Sequence, residues 1–333
     1  MHKDEELTPL AGDPQDDAVE ADAPPEVMEG QIEVEDRDDM PLPALSKGEK
    51  HLRRQVRLAG RSFWKQPLAV TGVIIVAIWI FLGLFANFIT PYDPLFQGAP
   101  RFLPPSAEHW MGTDQLGRDV LSRVIHGVRI TVPYAMLIVA VSTVIGTIIG
   151  AVAGYAGGWV DETLMRITDV FLALPSIVLA MVVAAALGPG LRNAVIAIII
   201  VAWPPITRIV RSLVLSIRSR DYITSARLLG AGSSRTLYVD FGPNLIGSIA
   251  VVAMIEVSQR ILLLAALSFL GLGAQEPTPE WGRMVSDGAA ILDRWWIATF
   301  PGLAILSVVL AFNLIGDTLR DVVDPQVSKQ MKG

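Results

Sequence analysis

Cysteine is absent from the 333 residues, so disulfides, thiolate catalysis and cysteine metal sites are excluded. Histidine is scarce. His2, His51, His109 and His126 are the whole set, and none lies in an apolar run. A buried serine–histidine pair or an intramembrane histidine cluster therefore has no means of forming, which removes most membrane-hydrolase readings. The phosphate-cradling loop Gly-x-x-x-x-Gly-Lys-Ser/Thr is missing as well, so any ATP chemistry must come from another chain. Charged residues make up only 18%, against roughly 25% in ordinary globular domains. No catalytic or metal-ligating set is expected, and no cofactor or nucleic-acid partner.

What the chain has instead is apolar length. Hydrophobic residues reach 52% and the mean hydropathy is +0.47. They cluster in six runs: Leu68 to Ile89, Ile130 to Ala153, Val170 to Leu187, Ala194 to Val210, Leu245 to Leu267 and Ile297 to Ile315. A crossing of the bilayer needs roughly 20 mostly apolar residues, and the third and fourth runs reach that only with flanking residues added. The expected fold is all-α, a polytopic membrane bundle of six transmembrane helices over residues 68–320. No cleavable leader is expected, because the first run follows a long polar tail and reads as a retained signal anchor.

The net charge of -6 averages two unlike parts. Residues 1–46 hold 15 of the 33 acids and only Lys3 and Arg37 as bases, leaving 25 bases and 18 acids for the rest. Such an acidic, weakly hydrophobic segment buries too little apolar surface to offset its ordering entropy, and disorder is expected there. It is either a solvated extension or a docking arm. Residues 47–67 form a basic juxtamembrane segment, and 321–333 a C-terminal tail. The flanks of the spans hold 17 bases on one side (Lys47 to Lys65, Arg166, Arg208 to Arg235, Arg320 to Lys332). On the other side, leaving aside Arg129 at the very edge of the second run, there are six: Arg101, Arg118, Arg123, Arg192, Arg283 and Arg294. The positive-inside rule then puts both termini in the cytoplasm, with outer loops over 90–129 and 271–296.

Several features sit within or beside the spans. Gly146, Gly150 and Gly154 put small residues on one helix face, where another backbone can approach closely. Kinks are expected at Pro175, Pro204 and Pro205. Trp110, Trp159, Trp281, Trp295 and Trp296 lie near span ends, where indole rings favour the headgroup layer. Glu256 and Arg260 are four apart in the fifth run, the spacing and order of a helical ion pair. They are either a self-neutralising structural pair or a lining of the pathway that meets a zwitterionic substrate.

Residues 211–244 form a basic cytoplasmic loop. Tyr222, Thr224, Ser225, Ala226, Arg227, Gly230 and Ala231 read as a short helix followed by a turn that Gly230 permits, then Pro243. This loop resembles the coupling segment of binding-protein-dependent ABC importers, whose pattern is Glu-Ala-Ala, three residues, Gly, and later Ile-Leu-Pro. Thr224-Ser225-Ala226, Gly230 and Phe241-Gly242-Pro243 stand at those places, so the Gly and Pro match and the glutamate is replaced. From about residue 60 to 326 further strings resemble the C-type permease subunit of dipeptide, oligopeptide and nickel importers. They are Pro91-Tyr92-Asp93-Pro94, Gly112-Thr113-Asp114 through Gly117-Arg118-Asp119, Ala153-Gly154-Tyr155, Leu267 to Gly273, Pro277 to Gly282, and Ala311 to Asp317. Leu264 stands where many relatives carry a glutamate.

The resemblance implies a type I ABC importer architecture in a cell membrane. Two different permease subunits would form the path, two ATPase subunits would grip the cytoplasmic loops, and a substrate-binding protein would dock outside. It implies transport of peptides, with nickel chelates or oligosaccharides as alternatives. A secondary transporter working through Glu256 and Arg260 is the competing reading from the residues alone. It would usually show internal repeat symmetry, which is not evident here.

Overall fold

The computed structural model of the chain describes residues 63–64, 66–218 and 242–323. All lie in one structural unit, Leu52–Gly333; the other unit, Met1–His51, falls outside the described residues, and the acidic tail 1–46 with it. Only fragments of the segment 47–67 and the tail 321–333 are included.

Among the described residues regular structure is helical, apart from one isolated bridge between Thr113 and Asp119. The helices are α1 (Pro67–Leu84), α2 (Ala86–Ile89), α3 (Val120–Ala156), α4 (Gly158–Leu172), α5 (Ser176–Leu187), α6 (Leu191–Arg218), α7 (Gly242–Phe269), α8 (Trp281–Ala289) and α9 (Trp296–Val323). Five are long and apolar enough to cross a bilayer: α1, α3, α6, α7 and α9. The pair α4–α5 passes the same test only as one bent unit, which brings the count to six.

The second span is longer than its apolar run. At 37 residues α3 is about 55 Å long, well beyond the roughly 30 Å of hydrocarbon, and its first ten residues stand where a loop over 90–129 was expected. Asp119 accounts for the early start. Its carboxylate accepts from the backbone N–H of Ser122 (2.8 Å) and from Ser122 Oγ (2.7 Å), capping the first turn. Likewise α8 occupies the middle of the expected loop 271–296, and α6 runs to Arg218 within the expected loop 211–244.

The third span departs most from expectation. Instead of one kinked helix over Val170–Leu187, α4 and α5 meet at 86°. Pro175 donates no hydrogen bond and holds Leu174 away from helical geometry, so the helix ends there. Alone, α5 is 12 residues and about 18 Å, too short to cross. Pro204 and Pro205 act differently: α6 continues unbroken through both. Its neighbours hold it, since Trp203, Pro204, Ile206 and Thr207 are all buried.

The glycine row is the reason α3 and α6 pack so tightly. A Cβ on Gly146 would come within 2.8 Å of Trp203 O, one on Gly150 within 2.5 Å of Thr207 O, and one on Gly154 within 2.9 Å of Val214 Cβ. Beyond this seam, α7 packs against α3, α6 and α9, and α8 nests between α7 and α9. Helix α1 is tied to α9 by Trp79 Nε1–H to Ser307 Oγ (2.9 Å) and a close approach at Gly72, while Ile74, Ile78, Phe81 and Leu84 stay exposed, as suits hydrocarbon.

Gly150→Ala forces backbone apart at this seam and should lower stability by about 1–3 kcal/mol. The same change at Gly247, where a Cβ meets nothing within 4 Å, should not. Unfolding of the detergent-solubilised protein checks the pair; equal midpoints would show that the seam tolerates the methyl group.

Candidate functional site

Three polar assemblies carry the charged residues singled out by their sequence pattern. The first lies outside the apolar spans, where the 90–119 segment folds back on the start of α3. Asp114 accepts from the N–H groups of Leu116 (2.8 Å) and Arg118 (3.0 Å) and from Arg118 Nε (2.6 Å); Arg123 Nε stands 3.5 Å away. Gly117 sits at φ +75 with the Ala99 carbonyl 2.1 Å from where a Cβ would be, so only glycine fits. Arg118 also reaches Glu276 (3.3 Å), and Arg123 reaches the carbonyls of Pro94 and Pro277 (3.4 Å each). Asp119, besides capping α3, pairs with His109 Nδ1 at 2.9 Å. Asp114, Arg118, Asp119, Arg123 and His109 are all buried.

Thr113 completes the knot. Its hydroxyl donates to Pro100 O (2.8 Å) and accepts from Leu103 N–H (2.9 Å), and its carbonyl accepts from Trp296 Nε1 (3.2 Å). Gly112, at φ +74, leaves room for that indole. A cavity of about 250 Å³, lined in part by Tyr92, Phe96, Leu103, His109 and Asp119, opens beside it.

The strings Leu267 to Gly273 and Pro277 to Gly282 close the same side. Glu280 is fully buried, accepts from Arg283 N–H (2.9 Å) and pairs with Thr131 Oγ1 (3.2 Å), with Ser268 as a further partner. Burial pushes its carboxyl above the ordinary 4.5, and the hydrogen bonds from Arg283, Gly282, Ser268 and Thr131 oppose the shift. Asp287 is likewise raised by burial, against the pull of Arg283 at 2.9 Å. Trp281 fills the space over Gly127 and donates to Val124 O (2.8 Å). Trp281 and Trp296 are therefore core residues with buried partners and not headgroup anchors; Trp110, Trp159 and Trp295 remain exposed.

The second assembly is intramembrane. Glu256 and Arg260 touch as their spacing predicts, with side chains only 16% and 7% exposed, and Arg260 Nε has no partner. Leu264, one turn on, is fully buried in an apolar cluster with Ile138 and Ile198.

The third lies toward the far ends of α3 and α6. Arg211 grips Asp161 of α4 with two hydrogen bonds (2.5 and 2.6 Å), and Arg208 pairs with Asp169 at 2.5 Å. These join α6 to the broken helix just before residue 219. Tyr222, Thr224, Ser225, Ala226, Arg227, Gly230 and Ala231 lie outside the described residues, while Pro243 is the second residue of α7.

A family model described as "Binding-protein-dependent transport system inner membrane component" matches residues 146–329, more than half of the chain. The chain belongs to this family. A second model, described as the N-terminal TM domain of oligopeptide transport permease C, matches residues 54–105. Among curated relatives, a dipeptide transport system permease protein of Escherichia coli (strain K12) is 46% identical over 281 residues, 81% of this chain and 94% of the relative. A di/tripeptide transport system permease protein of Pseudomonas aeruginosa is 43% identical over 275 residues, 80% of this chain and 91% of the relative. A solved structure of the methionine ABC transporter MetNI, in inward-facing form, shares the fold with a TM-score of 0.52 at 18% identity, covering 61% of this chain and 98% of that one. Family membership makes this a multi-pass membrane permease, and the spans of the fold serve that role.

Helical spacing predicts the Glu256–Arg260 contact, whereas Arg118, Arg123 and Arg283 read as loop charges from their positions in the chain. The available signals were an acid at the α3 cap with serine three residues on, and a second acid four residues before an arginine. The partnering of Asp161 and Asp169 with α6 had no local signal.

A carboxyl raised in the folded state favours folding when protonated, so its contribution falls as pH rises from about 4.5 through the raised value. Glu280→Gln removes this term. The unfolding midpoint of the variant relative to the wild type should therefore increase with pH above about 4.5, measured by thermal unfolding across pH 4 to 8. A difference that stays constant with pH would contradict the assignment.

Proposed function

We propose that this chain forms one half of the translocation path of an ATP-driven importer of dipeptides and related short peptides. The observation that carries the reading is likeness over nearly the full length of curated peptide permeases, at 40–46% identity for the relatives named as dipeptide systems. In this reading a second, different permease subunit completes the path, two ATPase subunits bind on the cytoplasmic side, and a substrate-binding protein delivers peptide from outside. The excess of Lys and Arg on one set of flanks supports cytoplasmic termini when α4–α5 counts as one crossing.

The chain's own part is mechanical. The segment 211–244 is the point where ATPase motion enters, through the residues around Gly230, and the ion pairs of Arg208 and Arg211 lie where they would pass it to α4. The buried outer knot supplies a rigid face for the binding protein. Rocking of the spans between these two ends moves the substrate, and no bond is made or broken in this subunit. Glu256 and Arg260 line the path.

Gly230→Leu tests the coupling role. The variant should insert and assemble normally yet lose peptide uptake in the reconstituted importer by at least about tenfold, the scale of losing one well-placed contact. Normal uptake would refute coupling at this position.

A further inference from the structure

Several spans leave apolar side chains exposed, and most need nothing more than lipid. On α1 these are Ile74, Ile78 and Phe81, and on α3 Leu137, Val144 and Ile148. Both helices are continuous over these stretches, so their backbone groups are bonded within the helix and hydrocarbon suits the surface. The face around the break between α4 and α5 is different. From Leu172 to Val178 every residue is exposed. Pro175 is the N-cap of α5, and among the described residues no side chain caps its first turn. The N–H groups of Ser176, Ile177 and Val178 therefore lack the partners that a helix supplies to its later residues.

The break lies at membrane depth. The Phe171 ring meets that of Trp203 at 5.3 Å, and Trp203 stands near the middle of α6, a helix long and apolar enough to cross. Lipid offers nothing to unpaired backbone. It does not suit the Asp169–Arg208 pair either, which is more than half exposed one turn before the break. Water would bond the N–H groups but would also wet a contiguous apolar row. Leu174, Val178 and Val182 stand at four-residue steps, with Leu172 and Ile177 beside them, all exposed. The opposite side of α5 is already occupied, since Ala180 and Ala184 are buried in a cluster with Ala194 and Ile198 of α6. A protein surface meets both demands, with polar groups for the backbone and close packing for the aliphatic side chains.

We propose that this face, from Leu172 to Val182, is where the second permease subunit packs. The proposal rests on the importer reading above and names the surface at which the two halves of the path meet. The partner that fits is an apolar span carrying a hydroxyl or amide side chain. Its oxygen accepts from the N–H groups at the start of α5, while its aliphatic neighbours fill the space between Leu174, Val178 and Val182. Pro175 is the origin of the surface, because it ends the helix and so frees the groups that the partner bonds. Cover from a second subunit also holds in place a helix too short to cross alone.

The test uses the complete importer in its membrane, with a benzophenone photocrosslinking side chain placed at Leu174, at Val178 or, as control, at Ile148 of α3. Irradiation should join this chain to the second permease subunit from 174 and 178 and give no such product from 148. A complex that contains the second permease but yields no product from 174 or 178 refutes the surface and leaves the importer reading standing. A product joining two copies of this chain, or an equal yield from 148, refutes it too. Leu174→Ala/Val182→Ala trims the same face without a bulky probe, and recovery of the second permease with the solubilised chain should fall about tenfold. Recovery at the wild-type level overturns the surface, and so does a loss accompanied by poorer insertion of this chain, which marks the side chains as needed for its own fold. A wild-type complex isolated without any second permease overturns the importer reading, and the surface falls with it.

Discussion

A carboxylate or guanidinium taken out of water costs several kcal/mol unless opposite charge and hydrogen bonds meet it. The end of this protein built from the 90–119 segment and the 271–289 region is folded around that demand. Asp114 and Asp119 are surrounded by Arg118, Arg123, His109 and the α3 N-terminus, and Glu280 by Thr131, Ser268 and the N–H of Arg283. Because the partners come from distant segments, satisfying the charges fixes the geometry. The 90–119 segment, α3, the 271–280 turn and α9 are locked by interactions that none supplies alone. Removing one member would leave its neighbours charged and unpaired, which is why such a knot is rigid.

Below the knot the constraint changes from charge to shape. In hydrocarbon, apolar side chains gain little by meeting one another, and close packing takes over. The three glycines of α3 bring its backbone against α6, and this seam carries the two prolines of α6 without a break. Where no such neighbour intervenes, at Pro175, the chain turns by 86° and leaves α4 free to be held by Arg208 and Arg211 instead. The described protein is thus clamped at the 90–119 end by buried charge, packed tightly at the α3–α6 seam, and pinned near residue 218 by ion pairs between α4 and α6.

The spans were legible because lipid imposes a plain composition on them, and the i,i+4 contact of Glu256 with Arg260 followed from helical spacing. The glycine row likewise announced its role. Other features depend on what lies across space. Pro175 and Pro204 look alike in sequence, and only the packing around α6 separates them. Trp281 and Trp110 look alike too, yet one donates to Val124 O inside the core and the other is exposed. Arg118 and Arg123 read as loop charges because their partners, Glu276 and the carbonyl of Pro277, are about 150 residues away. The residues around Gly230 lie outside the described structure, and their role rests on pattern and family.

The chain belongs to the binding-protein-dependent permeases, and the function proposed above has it driven by partner ATPase subunits. In that proposal the three polar assemblies divide the labour: the buried knot of the 90–119 segment as platform, Glu256 and Arg260 as lining of the path, and the α4–α6 ion pairs beside the segment where force enters. The direct test of that division is the energy source. Dialanine uptake should be measured in proteoliposomes holding the complete importer, once with ATP and an ionophore that collapses the proton gradient, and once with a gradient and no ATP. The account predicts uptake in the first case and none in the second; uptake driven by the gradient alone would contradict it.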